Sequence, residues 1–338
     1  MRYRPLGSTG IEVSEVSFGA GPVSGLMTEG GLADRLAVVS RAVEQGINWF
    51  DTAAGYGAGK SEAHLGEVLS RIDAPRPLHV ATKVRLLIDQ ETELRPLVVT
   101  SVRASLERLR LPRVTLLQVH NSLTPRRGDE PTSLTPEDIL GPQGVLAALQ
   151  DLRAEGCVAH FGLTGIGNAD SLRTVMASGD WATIQAPFHL LNPSTLLDTP
   201  HAFLEPDYRG FLRDAHTFGM GLFAIRVYAA GALLGAAPSA HTLRTPFFPL
   251  ALYERDHARA AWLTSALKDD PVLKGIPLPE LALRHVLSQP EFASAILGFG
   301  EPSHVDAAVR VSDGGPLSTE ELARLSLLMS QLVAAAPR

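Results

Sequence analysis

A chain of 338 residues, 45% hydrophobic and 6% aromatic, has enough apolar side chain for one large α/β domain with a core of Leu, Val and Ala. Its formal net charge of −6 offers no basic field to nucleic acid, and its single cysteine, Cys157, excludes an internal disulfide framework. No apolar run approaches about 18 residues, and the opening MRYRPLGSTG lacks an apolar signal region, so no membrane span is expected and the cytoplasm is the expected compartment.

The chain opens with two short extended runs, 3–6 and 11–13, flanking Gly7-Ser8-Thr9-Gly10, which predicts a hairpin. Strands and helices then alternate. The first strand is 15–18, followed by a helix over 34–45 stopped by Gly46. Strand two is 47–50 with Asp51 at its end, and its helix is 62–71. Strand three is 78–82 with Lys83 at its end, and its helix is 97–109. Strand four is 114–119 with His120 at its end. A polar, proline-containing insertion over 123–142 precedes a helix at 145–155. Strand five, 158–163, runs into Thr164-Gly165 and a helix at 170–178. Strand six is 181–185, then a long loop over 192–206 and a helix at 208–218. Strand seven is 221–226, followed by an irregular segment over 235–249 and helices at 253–267 and 278–287. Strand eight, 294–297, leads into Gly298-Phe299-Gly300 and closing helices at 303–311 and 319–333.

Eight strand–helix units predict a (β/α)8 barrel with an N-terminal β-hairpin, a single domain over 1–338. A doubly wound sheet is the alternative. No Gly-x-Gly-x-x-Gly follows the first strand, which counts against a dinucleotide-binding sheet of that kind.

In a barrel, the strand ends converge on one mouth. Asp51, Lys83 and His120 end three successive strands, and Tyr56 sits on the loop just past the first. Singly, each has a plain explanation: a cap, a rim charge, a structural imidazole, a packing ring. Their joint placement is what suggests chemistry. The histidines do not form a ligand set on neighbouring strand ends, so no metal is expected.

The segments LGSTGIEVSEVSFGAG, GINWFDTAAGYGAGKSEAHLGEVL, VATKV and LLQVHN, with Gln185 and the region after strand eight, resemble an aldo-keto reductase over nearly the whole length. The resemblance puts that family's catalytic tetrad on Asp51, Tyr56, Lys83 and His120. It implies oxidoreduction between an aldehyde, ketone or sugar hemiacetal and an alcohol or lactone, with a nicotinamide supplying the hydride. A phenol, with a reference pKa of about 10, is a poor acid at neutral pH. A neighbouring ammonium favours its ionised form. Lys83 is placed to supply that charge, Asp51 to hold Lys83, and His120 to hydrogen-bond the carbonyl oxygen.

The expected cofactor contacts are Thr164, Gln185, Arg226, Gly298, Gly300, Ser303 and His304. Here the sequence departs from the family. Gly165 replaces an amide, and Asn168 either supplies it or caps the next helix. Ile225 stands where a stacking aromatic is usual, and Arg226 either meets cofactor or substrate or forms a rim salt bridge. Ala307 and Ala308 fall where the family often has Glu-Asn adenine contacts. Glu301 opposes a 2′-phosphate and suits ribose hydroxyls. With Thr164-Gly165 resembling the sugar-dehydrogenase branch, NAD, or use of both NAD and NADP, is expected.

Trp49, Arg85 and Asn121 are expected to line a pocket for a small carbonyl or sugar substrate. The 123–142 and 235–249 segments are candidates to cover the mouth. Two other functions fit the same barrel: a cofactor-binding regulatory subunit, and a lyase forming a Schiff base on Lys83.

Overall fold

The computed structural model describes residues 1–87, 93–199, 206–246 and 248–335. Strands β1 (Tyr3–Pro5) and β2 (Glu12–Ser14) pair antiparallel, Tyr3 opposite Ser14. The other strands are β3 (Val16–Gly19), β4 (Trp49–Asp51), β5 (His79–Val84), β6 (Val114–Val119), β7 (Val158–Thr164), β8 (Thr183–Pro187), β9 (Gly221–Ile225) and β10 (Phe292–Gly298). These close in the order β10-β3-β4-β5-β6-β7-β8-β9, every neighbouring pair parallel. The expected (β/α)8 barrel and its hairpin are therefore the observed architecture.

The helices that flank the strands turn an apolar stripe toward the sheet, while those near the C-terminus also build a separate apolar cluster with one another. After the short α1 (Leu26–Glu29), α2 (Leu32–Glu44) buries Arg35, Val38, Val39, Ala42 and Val43. Gly46, at φ 89°, ends it. Next come α3 (Lys60–Leu69), α4 (Leu94–Leu109), α5 (Pro136–Leu140), α6 (Val145–Ala154), α7 (Ala169–Met176) and α8 (Phe211–Thr217). A 3₁₀ segment, Ala229–Leu234, precedes α9 (Leu250–Lys268), α10 (Leu278–Leu287), α11 (Pro302–Gly314) and α12 (Thr319–Ala335).

Alternation along the strands divides the apolar side chains between two regions. Phe50, Val80, Leu117 and Phe161 face the helices in the main core. Trp49, Ala81, Leu116 and Phe223 meet Leu6 and Val13 of the hairpin inside the barrel. The hairpin thus plugs the N-terminal end and leaves the C-terminal mouth for chemistry.

Most expected elements are found with ends shifted by one to three residues, and three differences bear on the site or its surroundings. Strand two begins at Trp49 and includes Asp51, which pairs with Gly19 and Ala81. The 123–142 insertion is folded: Leu123 bridges to Leu134 and Gly167, and Thr135 and Asp138 form a capping box on α5. The 3₁₀ segment and α1 were not expected from periodicity, being too short to show any. Within the expected loop over 192–206, residues 200–205 lie outside the described residues, as does residue 247 of the 235–249 segment.

Among the described residues, no helix is long and apolar enough to cross a membrane, and no three His, Cys, Asp or Glu gather to hold a metal ion.

Candidate active site

β4 delivers Asp51 and β5 delivers Lys83 to the same level of the barrel. Both are buried, at 3% and 2% exposure. Charges this deep need partners. The Lys83 ammonium donates to Asp51 Oδ1, to the Thr52 carbonyl at 2.9 Å and to Tyr56 Oη at 3.4 Å. On the far side, Asp51 Oδ2 accepts from the amides of Gln118, at 3.1 Å, and Gln185. Burial pulls the Lys83 proton off, but Asp51 first and Tyr56 second outweigh it and hold the ammonium above its ordinary range.

Tyr56 sits on the turn between β4 and α3, and residues after it fix that turn. Ser61 Oγ donates to the Ala20 carbonyl and bonds Thr52 Oγ1, both at 2.8 Å. Glu62, fully buried, accepts from Thr82 Oγ1 at 2.5 Å and Arg108 Nε at 2.7 Å. Glu62 therefore does more than complement a helix dipole: it staples the phenol-bearing turn to β5 and α4.

His120 follows β6, its backbone N–H on the Val84 carbonyl at 2.8 Å. Its ring stands edge-on to that of Tyr56, centroids 5.6 Å apart at 84°. Burial, then the charges of Lys83 and Arg85, keep its pKa well below the ordinary histidine value, so the ring is neutral. A neutral imidazole carries one N–H to donate. The structure thus brings Asp51, Tyr56, Lys83 and His120 into one cluster.

Arg85 approaches from β5 and donates to the His120 carbonyl at 3.2 Å. Arg226 follows β9 in a left-handed conformation, φ 58°, with its guanidinium 5.3 Å over the Phe248 ring. Burial lowers its pKa against the opposing pull of Tyr208, Tyr56 and Glu130. Both arginines therefore sit at the Tyr56 mouth.

Other expected contacts fall elsewhere. Trp49 does not line a pocket: it is 0% exposed, packed at a tilt between the rings of His79 and Phe223 in the plugged half of the barrel. It precedes Asp51 by two residues and faces the same interior one layer too deep. Asn121 is also turned away. Its amide is committed to the backbone of Leu86, at 2.9 and 2.8 Å, and to the Thr132 carbonyl, so it ties the insertion down. Asn168 caps α7, accepting from Asp170 and Ser171 N–H at 3.0 Å each, and replaces no lost amide.

The remaining expected contacts lie at the ends of β7 and β8 and where β10 turns into α11. Thr164 ends β7 with its hydroxyl buried and without a partner among the described residues, an open position for a carboxamide. A side chain at Gly165 would have to displace the buried Phe211 ring, since its Cβ would lie 2.7 Å from Phe211 Cζ. Gln185 donates one of its two amide hydrogens to Asp51. Gly298, Gly300, Ser303 and His304 stand where β10 turns into α11. There Glu301 accepts from Ser303 Oγ at 2.6 Å and lies 3.3 Å from His304 Nε2. Gln118 is the residue sequence reasoning missed. Its signal was a long polar side chain, two before His120, in an otherwise apolar inward row.

Acid, amine, phenol and imidazole thus gather at the C-terminal mouth of a closed parallel barrel, the end at which barrels of this kind carry their chemistry. A profile of the Aldo/keto reductase family matches residues 15–328, and the chain belongs to that family. It is an NAD(P)-dependent oxidoreductase of carbonyl and alcohol groups. It is 29% identical over 341 residues to L-galactose dehydrogenase of Arabidopsis thaliana, covering 97% of this chain and 94% of that one. It is 26% identical to pyridoxal 4-dehydrogenase of Microbacterium luteolum, covering 89% and 90%. The glycerol dehydrogenase structure from Gluconobacter oxydans superposes with a TM-score of 0.72 over 99% of this chain and 97% of that one, at 22% identity, a likeness of fold.

Proposed function

We propose that the chain, as one barrel domain, interconverts a small hydroxylated aldehyde or ketone, or a sugar hemiacetal, with the corresponding alcohol or lactone, using Tyr56 as general acid and base. The carrying observation is the Lys83 ammonium, bonded to Asp51 and 3.4 Å from Tyr56 Oη. In reduction the phenol gives its proton to the carbonyl oxygen while Lys83 steadies the charge left behind. His120, neutral and beside Tyr56, donates to the same oxygen as charge develops. In oxidation Tyr56 takes the alcohol proton back. A nicotinamide bound beside Tyr56 would supply the hydride in reduction and take it up in oxidation.

Thr164 and the second amide hydrogen of Gln185 are the groups for the carboxamide. Arg226, Gly298, Gly300, Ser303 and His304 serve the rest of the cofactor, and Arg85 serves the substrate. NAD is the favoured partner, because the Glu301 carboxylate at the start of α11 repels an added phosphate. The relatives named for L-galactose and pyridoxal support a hydroxylated substrate. The single cysteine and net charge of −6 support a cytoplasmic enzyme acting on small molecules, not nucleic acid. A Schiff-base role for Lys83 is disfavoured, because Asp51 keeps charged the amine that such chemistry needs neutral. A purely regulatory barrel would not need the complete tetrad.

The test follows nicotinamide absorbance over a panel of aldehydes and sugars, with NADH and NADPH, for the wild type and Tyr56→Phe. The expected loss of kcat is roughly 10²–10⁴-fold, with cofactor affinity within about twofold. NADH is expected to give the higher kcat/KM. Unchanged turnover in Tyr56→Phe would sink the acid–base role, and a strong NADPH preference the cofactor assignment.

A further inference from the structure

Gln118 is a long polar side chain in the inward row of β6, flanked in register by Lys83 on β5 and Gly162 on β7. A Cβ on Gly162 would lie 3.0 Å from Gln118 Cγ and 2.5 Å from Thr183 Oγ1. The bare backbone there is what leaves room for the amide. Gln118 is fully buried and donates Nε2–H to Asp51 Oδ2 at 3.1 Å. The orientation is fixed by chemistry, since a carboxylate accepts and does not donate. Its Oε1 is left buried without a partner among the described residues. Packing alone does not explain this: a leucine would fill similar space without burying an unsatisfied oxygen.

We infer that Gln118 is a positioning residue for the reaction, holding Oδ2 of Asp51 together with Gln185 so that Oδ1 stays on the Lys83 ammonium beside Tyr56. The inference rests on the reading of Tyr56 and Lys83 as the proton-transfer couple. A carboxylate turns about its Cβ–Cγ bond, and two donors on one oxygen fix that turn. Lys83 is poised between burial, which strips its proton, and Asp51, which retains it. A loosened Asp51 lets burial gain, and Lys83 gives up its proton at lower pH.

The experiment measures kcat/KM for carbonyl reduction against pH in the full chain, with NADH affinity from nucleotide fluorescence. Gln118→Met keeps the shape and removes the donor. Its kcat falls about tenfold. The alkaline limb, which reports loss of the Lys83 proton, moves down by about one pH unit, while NADH affinity is unchanged. Gln118→Glu shares a proton with Asp51 and so restores a donor. Its alkaline limb stays at the wild-type position or above. A folded Gln118→Met with its limb unmoved overturns the inference. Should Gln118→Met not fold, Gln118→Glu decides: a limb displaced downward as far as in Asp51→Asn overturns it. Tyr56→Phe measured alongside separates the two levels. Full turnover there removes the parent reading, whereas an inactive Tyr56→Phe with an unmoved Gln118→Met limb removes only the role of Gln118.

Discussion

Thr164 shows at single-residue scale how a site differs from a core. Its hydroxyl is buried at the end of β7 with no acceptor or donor among the described residues. An unsatisfied buried hydroxyl is destabilising by about 1–3 kcal/mol. Thr164→Val, of the same shape, removes that burden in the free protein and the hydroxyl a carboxamide would use. Expected are a urea midpoint equal to or above wild type and an NADH dissociation constant raised about tenfold. Calorimetric titration and urea unfolding read the two effects separately, and loss of both together would mean the hydroxyl is structural. The gathering of Asp51, Tyr56, Lys83 and His120 is legible because residue type and strand-end position are both visible in sequence. Trp49 and Asn121 lie away from the mouth because depth along a strand and side-chain direction depend on register, which no local pattern prints. Gln118 was passed over for the same reason: only the pairing with Lys83 and Gly162 places it under Asp51.

At the scale of elements, the motif from Ser61 to Gly66 is a docking device for α3. Ser61 ties the helix start to β3 and β4, and Glu62 ties it to β5 and to Arg108 of α4. Gly66, one turn on, lets the two helices touch: a Cβ there would lie 2.4 Å from the Leu109 carbonyl oxygen. Gly66→Ala must push α3 away from α4 and tilt the turn carrying Tyr56. Overpacking of this kind destabilises by about 1–3 kcal/mol. Urea unfolding would register it, and a change below about 0.5 kcal/mol would show that the helices yield without strain. Strand and helix order was readable because apolar period and glycine stops agree along most of the chain. The capping box of α5 was also present in the sequence, as Thr135 and Asp138, but inside a stretch too polar to suggest folded structure. The 3₁₀ segment left no trace because its left-handed residues, Ala230 at φ 56° and Gly231 at φ 104°, break any period.

At the scale of the whole molecule, the barrel buries histidines as neutral rings in more than one layer. His285 on α10 stacks on Phe188 at 5.4 Å and 7°, both ring nitrogens unpartnered among the described residues. Burial takes its pKa down to about 4. His189 is pushed to about 3 by burial, with Arg226 and His285 adding to it. His120 is lowered in the same sense. In the unfolded chain all three take a proton near pH 6.5, whereas the folded chain excludes it. Below that pH the unfolded state binds more protons, so stability is intact above pH 6.5 and falls as acid is added toward about 4. His285 and His189 each account for about 2 kcal/mol at pH 5. Carboxyl groups held down by partners, such as Asp138 where Arg127 and Thr135 overcome burial, add their own loss only in stronger acid. The two contributions therefore separate on the pH axis. His285→Leu, of similar volume, has no nitrogen to desolvate. Its urea stability at pH 8 is expected within about 1 kcal/mol of wild type. Between pH 7 and 5 it should lose about 2 kcal/mol less than wild type does. Equal losses in the two proteins would mean that His285 already finds a proton in the folded state.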